Sequence, residues 1–498
     1  MQLEFQKQPL RYLAAGFREV KNTEVTQEIR LSEGMPDIGR VLATWGQVIL
    51  RSKQWQGTGA NVTGGVMTWT LYVPEDSTEP KSVECWIPFE LKWDAPQVNR
   101  EGPMMVFPLL RFADSRSISA RKIMVRAGVA ALAQGFYPEQ SEIAAAAEVP
   151  EDVQLLKNTY PLEMAVEAGE KIFTSDEEIH MDPSATPEKM LSGTVLPEVT
   201  ETRVISDKIA MKGRMKIHLL CRYAEGKLQS TDHELTFSQL IQLDEAYGPE
   251  AWVDIQMAVT NLEADMAEPG RVRIKVGLTA QYVVTDRKDL ELVQDAYSTR
   301  RSVEADMTSL ELPVILEDRM ETVTAEQLLP GQFGMTVDGV FLPDFPHQRR
   351  NGIHVELEIP GLFQSLLYGE DSALQGVNAR WEGHFSLAAD GDTKIVASVQ
   401  SQGAVQNVTT GDGLRQESQM HLHLQSHTRQ QIPMVTGLEL GAVTEPDGDR
   451  PSVVVTVGGA EPLWDLAKRC GSTVAAIRAA NGLEGEPVKE RMLLIPVI

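Results

Sequence analysis

The chain has 498 residues, of which 42% are hydrophobic and 23% charged, a balance typical of globular proteins and not of disordered or collagen-like chains. Its formal net charge of −25 would repel a phosphate backbone, which argues against nucleic-acid binding. At about 100–200 residues per domain, a chain of this length is expected to form about three to five domains.

An apolar strand followed by turn residues is predicted three times along the chain, and a strand centred on phenylalanine follows each copy. The first strand recurs at 66–72, 215–223 and 362–368, and the second at 86–91, 235–240 and 381–387. The central residues Phe89, Phe237 and Phe385 are separated by about 148 residues each time, which is the length of a domain. This spacing predicts an internal triplication.

A late alternating strand supports the same repeat, with copies at 121–129, 271–278 and 419–424. Val272, Ile274 and Val276 alternate with basic residues, as expected for a sheet with one face in water. The sequence therefore predicts a mainly β protein with three tandem β-sandwich-like domains at 1–158, 159–309 and 310–442. Helical signals are sparse in the three repeats: residues 143–148 are alanine-rich, and a short helix is predicted at 288–297.

The composition changes after the third repeat. A polar linker is predicted at 443–451, and residues 452–498 read as strand, helix, helix and strand. Leu463, Leu466 and Ala467 give the first helix one apolar face. Thr473 is placed to cap the second helix, and Asn481 followed by glycine to end it in a left-handed turn.

The cysteines and the N-terminus indicate a reducing compartment. Cys85, Cys221 and Cys470 are an odd set with no CxxC spacing, and two lie in predicted strands. Glu4 stands where a secretory signal would be apolar, and no run approaches the ~20 apolar residues of a membrane helix. These features predict a cytoplasmic protein.

The C-terminal segment resembles a LysM domain. The resemblance rests on Leu463 to Ala467, on Val474, Ile477 and Asn481, and on the closing Leu494-Ile495-Pro496. LysM domains usually have Gly-Asp-Thr or Gly-Asp-Ser before the first helix, whereas this chain has Gly-Gly-Ala-Glu-Pro at 458–462. The departure removes side chains expected to bind glycan and favours a protein ligand.

The repeated unit resembles the SPOCS domain of spore-coat proteins, most closely at 208–217, at the strand of Phe237 and at 272–278. Repeats followed by a LysM-like module resemble the SipL-type coat morphogenetic family of endospore formers. The resemblance implies a non-catalytic mother-cell scaffold that is recruited to the forespore surface and binds the coat-basement ATPase SpoIVA. The alternative is a tether that binds cortex peptidoglycan through the module.

The predicted partner-binding residues all lie in the module, and they are Leu463, Trp464, Arg469, Arg478 and Asn481. Trp464 has two readings: exposed, it would anchor an interface, and turned inward, it would pack in the core. Arg469 and Arg478 could pair with an acidic partner.

Other candidate chemistry is weaker. His421, His423 and His427 share strand parity and could offer zinc ligands, but a polar sheet face is the favoured explanation. No HExxH pair, Gly-x-Ser-x-Gly elbow or phosphate loop is present. We therefore predict no catalytic activity, no metal and no cofactor, while an enzyme with an unrecognised site stays open as a third hypothesis.

Overall fold

The computed structural model describes residues 1–94, 101–145, 148–182, 186–370, 373–401, 405–444, 452–457, 461–485 and 492–498. Strands account for 79% of the structure and helices for 4%, which confirms the predicted mainly β class. The predicted linker at 443–451 lies almost entirely outside the described residues, as do Gly458, Gly459 and Ala460.

Four successive segments organise the chain. We call residues 6–145 the first unit, 153–298 the second unit, 303–440 the third unit and 452–498 the module. The first unit follows a short strand, β1 (Gln2–Glu4), and contains β2 (Gln6–Arg30), β3 (Ile38–Gln56), β4 (Gly59–Pro74), β5 (Lys81–Asp94), β6 (Met104–Ser119) and β7 (Lys122–Ala145). The second unit contains β8 (Val153–His180), β9 (Lys189–Arg222), a 3-10 turn (Ala224–Gly226), β10 (Leu228–Tyr247), β11 (Trp252–Glu268) and β12 (Arg271–Ser298). The third unit contains β13 (Val303–Pro330), β14 (Phe333–Pro343), β15 (His347–Asn351), β16 (His354–Gly369), β17 (Leu374–Ala388), β18 (Lys394–Ser401), β19 (Gln406–Thr410) and β20 (Gly413–Leu440). The module contains β21 (Val453–Val457), α1 (Leu463–Cys470), α2 (Val474–Asn481) and β22 (Met492–Pro496).

Each unit begins and ends with a long strand, and these two strands pair antiparallel: β2 with β7, β8 with β12, and β13 with β20. Further strands extend the pair, namely β6 on β7, β11 on β12, and β18 with β19 on β20. The intervening strands form a second sheet in each unit, β3-β4-β5, β9-β10, or β14-β16 with β15 and β17. Apolar side chains from both sheets meet in buried clusters between them.

A glycine faces an aromatic ring across the second sheet of every unit. Gly64 lies opposite Phe89, Gly213 opposite Phe237, and Gly361 opposite Trp381. Phe385, which the regular spacing predicted to be the third equivalent, instead lies opposite Leu357. The register with the neighbouring strand decides which ring lies opposite the glycine. In the third unit this ring is Trp381, and Phe385, which the equal sequence spacing predicted, lies two pleats away.

The three long strand pairs form one common core, in addition to the core between the two sheets of each unit. Each pair is interrupted by a bulge, at Ala15/Phe17, at Val284/Thr285 and at Ile315/Glu317. Past the bulges, the ends of the three pairs pack into a single buried cluster, which we call the shared core. Its members include Leu10, Tyr12, Leu162, Leu292, Leu312, Ile432 and Leu438.

The shared core joins the units into one body. The chain start takes part, because β1 pairs with β20 and the amino group of Met1 donates to the carbonyl of Leu440 over 2.7 Å. The predicted domain boundaries at 158 and 309 fall inside β8 and β13, and both strands enter the shared core.

The short helix predicted at 288–297 is wrong, and the alanine-rich stretch at 143–148 is not helical where the structure describes it. Residues 143–145 end β7, and 146–147 lie outside the described part of the chain. Residues 288–297 belong to β12, where a bulge between Val293 and Asp295 shifts the strand phase. Leu290, Val293 and Tyr297 are therefore all buried at a spacing that imitates one face of a helix.

The module has the predicted order of elements. β21 pairs antiparallel with β22, and the two helices lie between them in sequence. The Thr473 side chain accepts a hydrogen bond from the Ala476 amide, which caps α2, and Gly482 follows in the left-handed conformation. Membership of the LysM family stays a prediction.

Candidate functional site: the α1 face of the module

The predicted binding residues occupy different environments within the module. Leu463 is fully buried and packs with Leu466, Ile477, Leu493 and Ile495. It therefore supports the surface of α1 from beneath. Trp464 is half-buried and contacts the second unit, and its role in partner binding stays a prediction.

Trp464 packs against the end of β12. Its ring lies 4.7 Å from the ring of Tyr297 in an edge-on arrangement. Its indole Nε1–H donates to Oδ2 of Asp295 over 2.8 Å. Such a contact gains from both apolar burial and a hydrogen bond to a charged acceptor.

Two further groups of the module bind the same strand. Lys468, one turn after Trp464, places Nζ 2.8 Å from both carboxylate oxygens of Asp295. The hydroxyl of Tyr297 donates to the carbonyl of Ser472 over 2.9 Å. Asp295 and Tyr297 are two positions apart on a strand and therefore present their side chains to the same face.

The electrostatics of this contact favour a charged carboxylate and a neutral phenol. Burial opposes ionisation of Asp295, but the bonds from Lys468 and Trp464 lower the pKa of its carboxyl group below the ordinary value. Burial and the charge of Asp295 raise the pKa of Tyr297 to about 12, so its hydroxyl stays a donor. The Tyr297 side chain is 4% exposed and belongs to the core of the module.

The other three predicted residues make contacts within the module. Arg469 is exposed and pairs with Glu461. Asn481 links α2 to β22, because its side chain accepts from the Leu494 amide over 2.8 Å and donates to the carbonyls of Ile477 and Leu494. The carbonyl of Arg478 accepts the closing hydrogen bond of α2 from Gly482.

Sequence reasoning missed Lys468, Ser472, Asp295 and Tyr297. The last two were assigned to a helix, which separated them from any strand face. If residues 295–297 had been predicted as a strand, the carboxylate of Asp295 and the ring of Tyr297 would have been expected on the same face. Asp295 and Trp464 are more than a hundred and sixty residues apart in the sequence. A single sequence carries no signal for a contact between residues so far apart.

A second polar site joins the units to each other. His218 on β9 lies between Asp232 on β10, 2.7 Å away, and Asp338 on β14, 2.6 Å away. Beside it, a cavity of about 470 Å³ is lined by all three units, for instance by Leu110, Val259 and Phe341. Lys216, which also lines the cavity, is paired with Glu198. His218 thus pairs with acidic side chains of the second and third units, and Lys216 pairs with Glu198 of its own strand.

Two of the three histidines predicted as a possible zinc set contact side chains of the paired strand β13. His423 on β20 lies 2.6 Å from Asp318 on β13, and His421 lies beside Thr322. Burial disfavours protonation of His423, but the bond to Asp318 and the charges of Asp254 and Asp318 raise its pKa. Within the described residues, no group of three or more histidine, cysteine or acidic side chains is arranged to hold a metal ion.

The architecture defines the chain as a multi-unit β protein that carries a small strand–helix–helix–strand module. Residues 187–267 match the family described as SipL, SPOCS domain. The match covers β9, β10 and nearly all of β11 in the second unit, a minority of the chain. No curated protein and no solved structure matches. In the described part of the chain, no helix has the length and apolar character needed to cross a membrane.

Proposed function

We propose that this chain is a non-catalytic scaffold in spore-coat assembly. The observation that carries the proposal is the match of residues 187–267 to the SipL, SPOCS domain family. Three units with the same long-strand framework and one shared core are suited to this role, because they present several surfaces in fixed relative positions. The net charge of −25 would keep such a scaffold soluble until a partner captures it.

We further propose that the module recruits the coat-basement ATPase SpoIVA at the forespore surface in the mother cell. The α1 face supports a protein ligand, because it combines an aromatic anchor at Trp464 with exposed cations at Lys468 and Arg469. Tryptophan and arginine side chains at a partly desolvated surface are typical of the residues that dominate protein–protein affinity.

The test is capture of purified SpoIVA by the full chain, run beside sedimentation with purified peptidoglycan. Trp464→Ala should abolish capture, whereas Trp252→Ala, a half-buried tryptophan of the second unit, should not. Hydrogen exchange in α1 and α2 verifies that the module remains folded. Failure of the wild-type chain to capture SpoIVA would reject this partner, and sedimentation with peptidoglycan in that case would support the wall tether.

A further inference from the structure

The contact between the module and β12 has the features of a ligand in a binding site. One side supplies an indole donor, an ammonium group and a carbonyl acceptor, from Trp464, Lys468 and Ser472. The other side supplies an extended segment, Asp295-Ala296-Tyr297, whose carboxylate and phenol match those three groups. Every polar group named in this contact has a partner of opposite hydrogen-bonding character.

The segment also completes the module. The buried apolar side chains of the module are few, and Tyr297 from the second unit is part of the same cluster. A module of this size has a marginal core, so an aromatic side chain supplied from outside contributes a large share of its buried surface. An empty α1 face would therefore expose both Trp464 and part of this core.

We infer that the α1 face formed by Trp464, Lys468 and the Ser472 carbonyl recognises an extended acidic–x–aromatic segment, and that Asp295 and Tyr297 occupy it in cis. The inference rests on the proposed function, in which the module binds a protein, and it names the chemistry of the bound element. A partner that presents such a segment competes with β12 for the face.

The chemistry of each contact sets the selectivity. The acidic side chain must accept from the indole and pair with Lys468, so an amide at this position loses the ion pair and weakens the bond from Trp464. The ring must reach the Ser472 carbonyl through a hydroxyl, which favours tyrosine over phenylalanine, since an unmet carbonyl at this depth is costly.

The experiment uses the full chain and a fluorescein-labelled peptide of residues 292–299. Asp295→Ala combined with Tyr297→Ala empties the cis site, and this double variant should bind the peptide. The wild-type chain should bind at least about tenfold more weakly, because a tethered segment competes at a high effective concentration. Adding Trp464→Ala to the double variant should remove binding, and peptides that carry Asp295→Asn or Tyr297→Ala should each lose about tenfold or more.

Hydrogen exchange of α1 and α2 distinguishes a loss of peptide binding from unfolding of the module. If the double variant keeps its module protected but does not bind the peptide, the inference is overturned. If the module loses protection, added peptide should restore it, and a failure to restore it equally overturns the inference. Equal binding by the wild type and the double variant would rule out occupation in cis. The assay contains no SpoIVA, so its failure and the failure of the proposed partner are separate results.

Discussion

The Nε2 atom of His218 lies 2.6 Å from Oδ1 of Asp338 and joins the second unit to the third. The Asp338 side chain has no exposure to solvent, and its other carboxylate oxygen makes no hydrogen bond in the structure. Asp232 holds the opposite ring nitrogen, at Nδ1. The imidazole therefore provides the positive charge that makes a buried carboxylate tolerable at a boundary between units.

Replacing this histidine should be costly. His218→Gln leaves Asp338 buried without a cationic partner, which is expected to lower the free energy of unfolding by about 3–5 kcal/mol. The measurement is equilibrium denaturation in urea at neutral pH. His384→Gln is the matched control, because His384 pairs with Glu382 at the surface and its loss should cost about 0–1 kcal/mol. Equal effects of the two substitutions would contradict the assigned role.

The His218 contact also predicts a dependence on pH. Burial disfavours protonation, but the charge of Asp338 and the bonds to Asp232 and Asp338 raise the pKa of His218 to about 10. The unfolded chain releases this proton near pH ~6.5. The stabilisation is thus fully present below pH ~6.5 and is lost progressively as the pH rises through about 10. The stability difference between wild type and His218→Gln should shrink over this window, and a constant difference would argue against a protonated imidazole.

Two leucines of one strand distinguish the shared core from the core of a single unit. Leu438 belongs to the shared core and Leu422 to the core of the third unit, and both lie on β20. Each substitution to alanine should cost about 2–5 kcal/mol. Under hydrogen exchange, Leu438→Ala should weaken protection in the paired ends of β2 and β8 as well as β20, whereas Leu422→Ala should act within the third unit. Confinement of both effects to the third unit would show that the units open independently.

Local patterns in the sequence reveal the strands well. Val272, Ile274 and Val276 are buried and alternate with exposed basic residues, as their spacing predicts. The same local patterns mislead wherever a bulge changes the phase, as at Val293 and Asp295, because an inserted residue converts a period of two into a helix-like spacing.

Contacts between distant segments could not be derived from the sequence. Nothing in the sequence around Leu312 indicates that it packs with the other two units, and nothing marks Tyr297 as part of the module's core. Both residues read as ordinary apolar positions of a strand or helix. Trp464 was predicted as a binding residue because an exposed tryptophan is a good interface anchor. Its contact with Tyr297 in the same chain is visible only in the structure.

The glycine opposite Phe237 gives the last prediction, inside the segment that matches the SPOCS family. The ring of Phe237 covers Gly213 on the neighbouring strand, and a methyl group at position 213 would overlap this ring and approach the Glu198 carbonyl oxygen to 2.5 Å. The carbonyl is backbone and cannot rotate away as a side chain can. The close approach therefore requires a residue without a Cβ atom.

Gly213→Ala should lower the free energy of unfolding by about 1–3 kcal/mol, as overpacking does in a dense interior. Gly248→Ala is the matched control, because no atom lies within 4 Å of a Cβ added there. Thermal and urea denaturation of the two variants compare the effects directly. Combining Gly213→Ala with Phe237→Leu should recover part of the loss, since the smaller side chain relieves the clash with the ring and leaves only the one with the carbonyl. Full stability of Gly213→Ala alone would show that both the Phe237 ring and the Glu198 backbone can move away, and would remove the steric reason for glycine at this position.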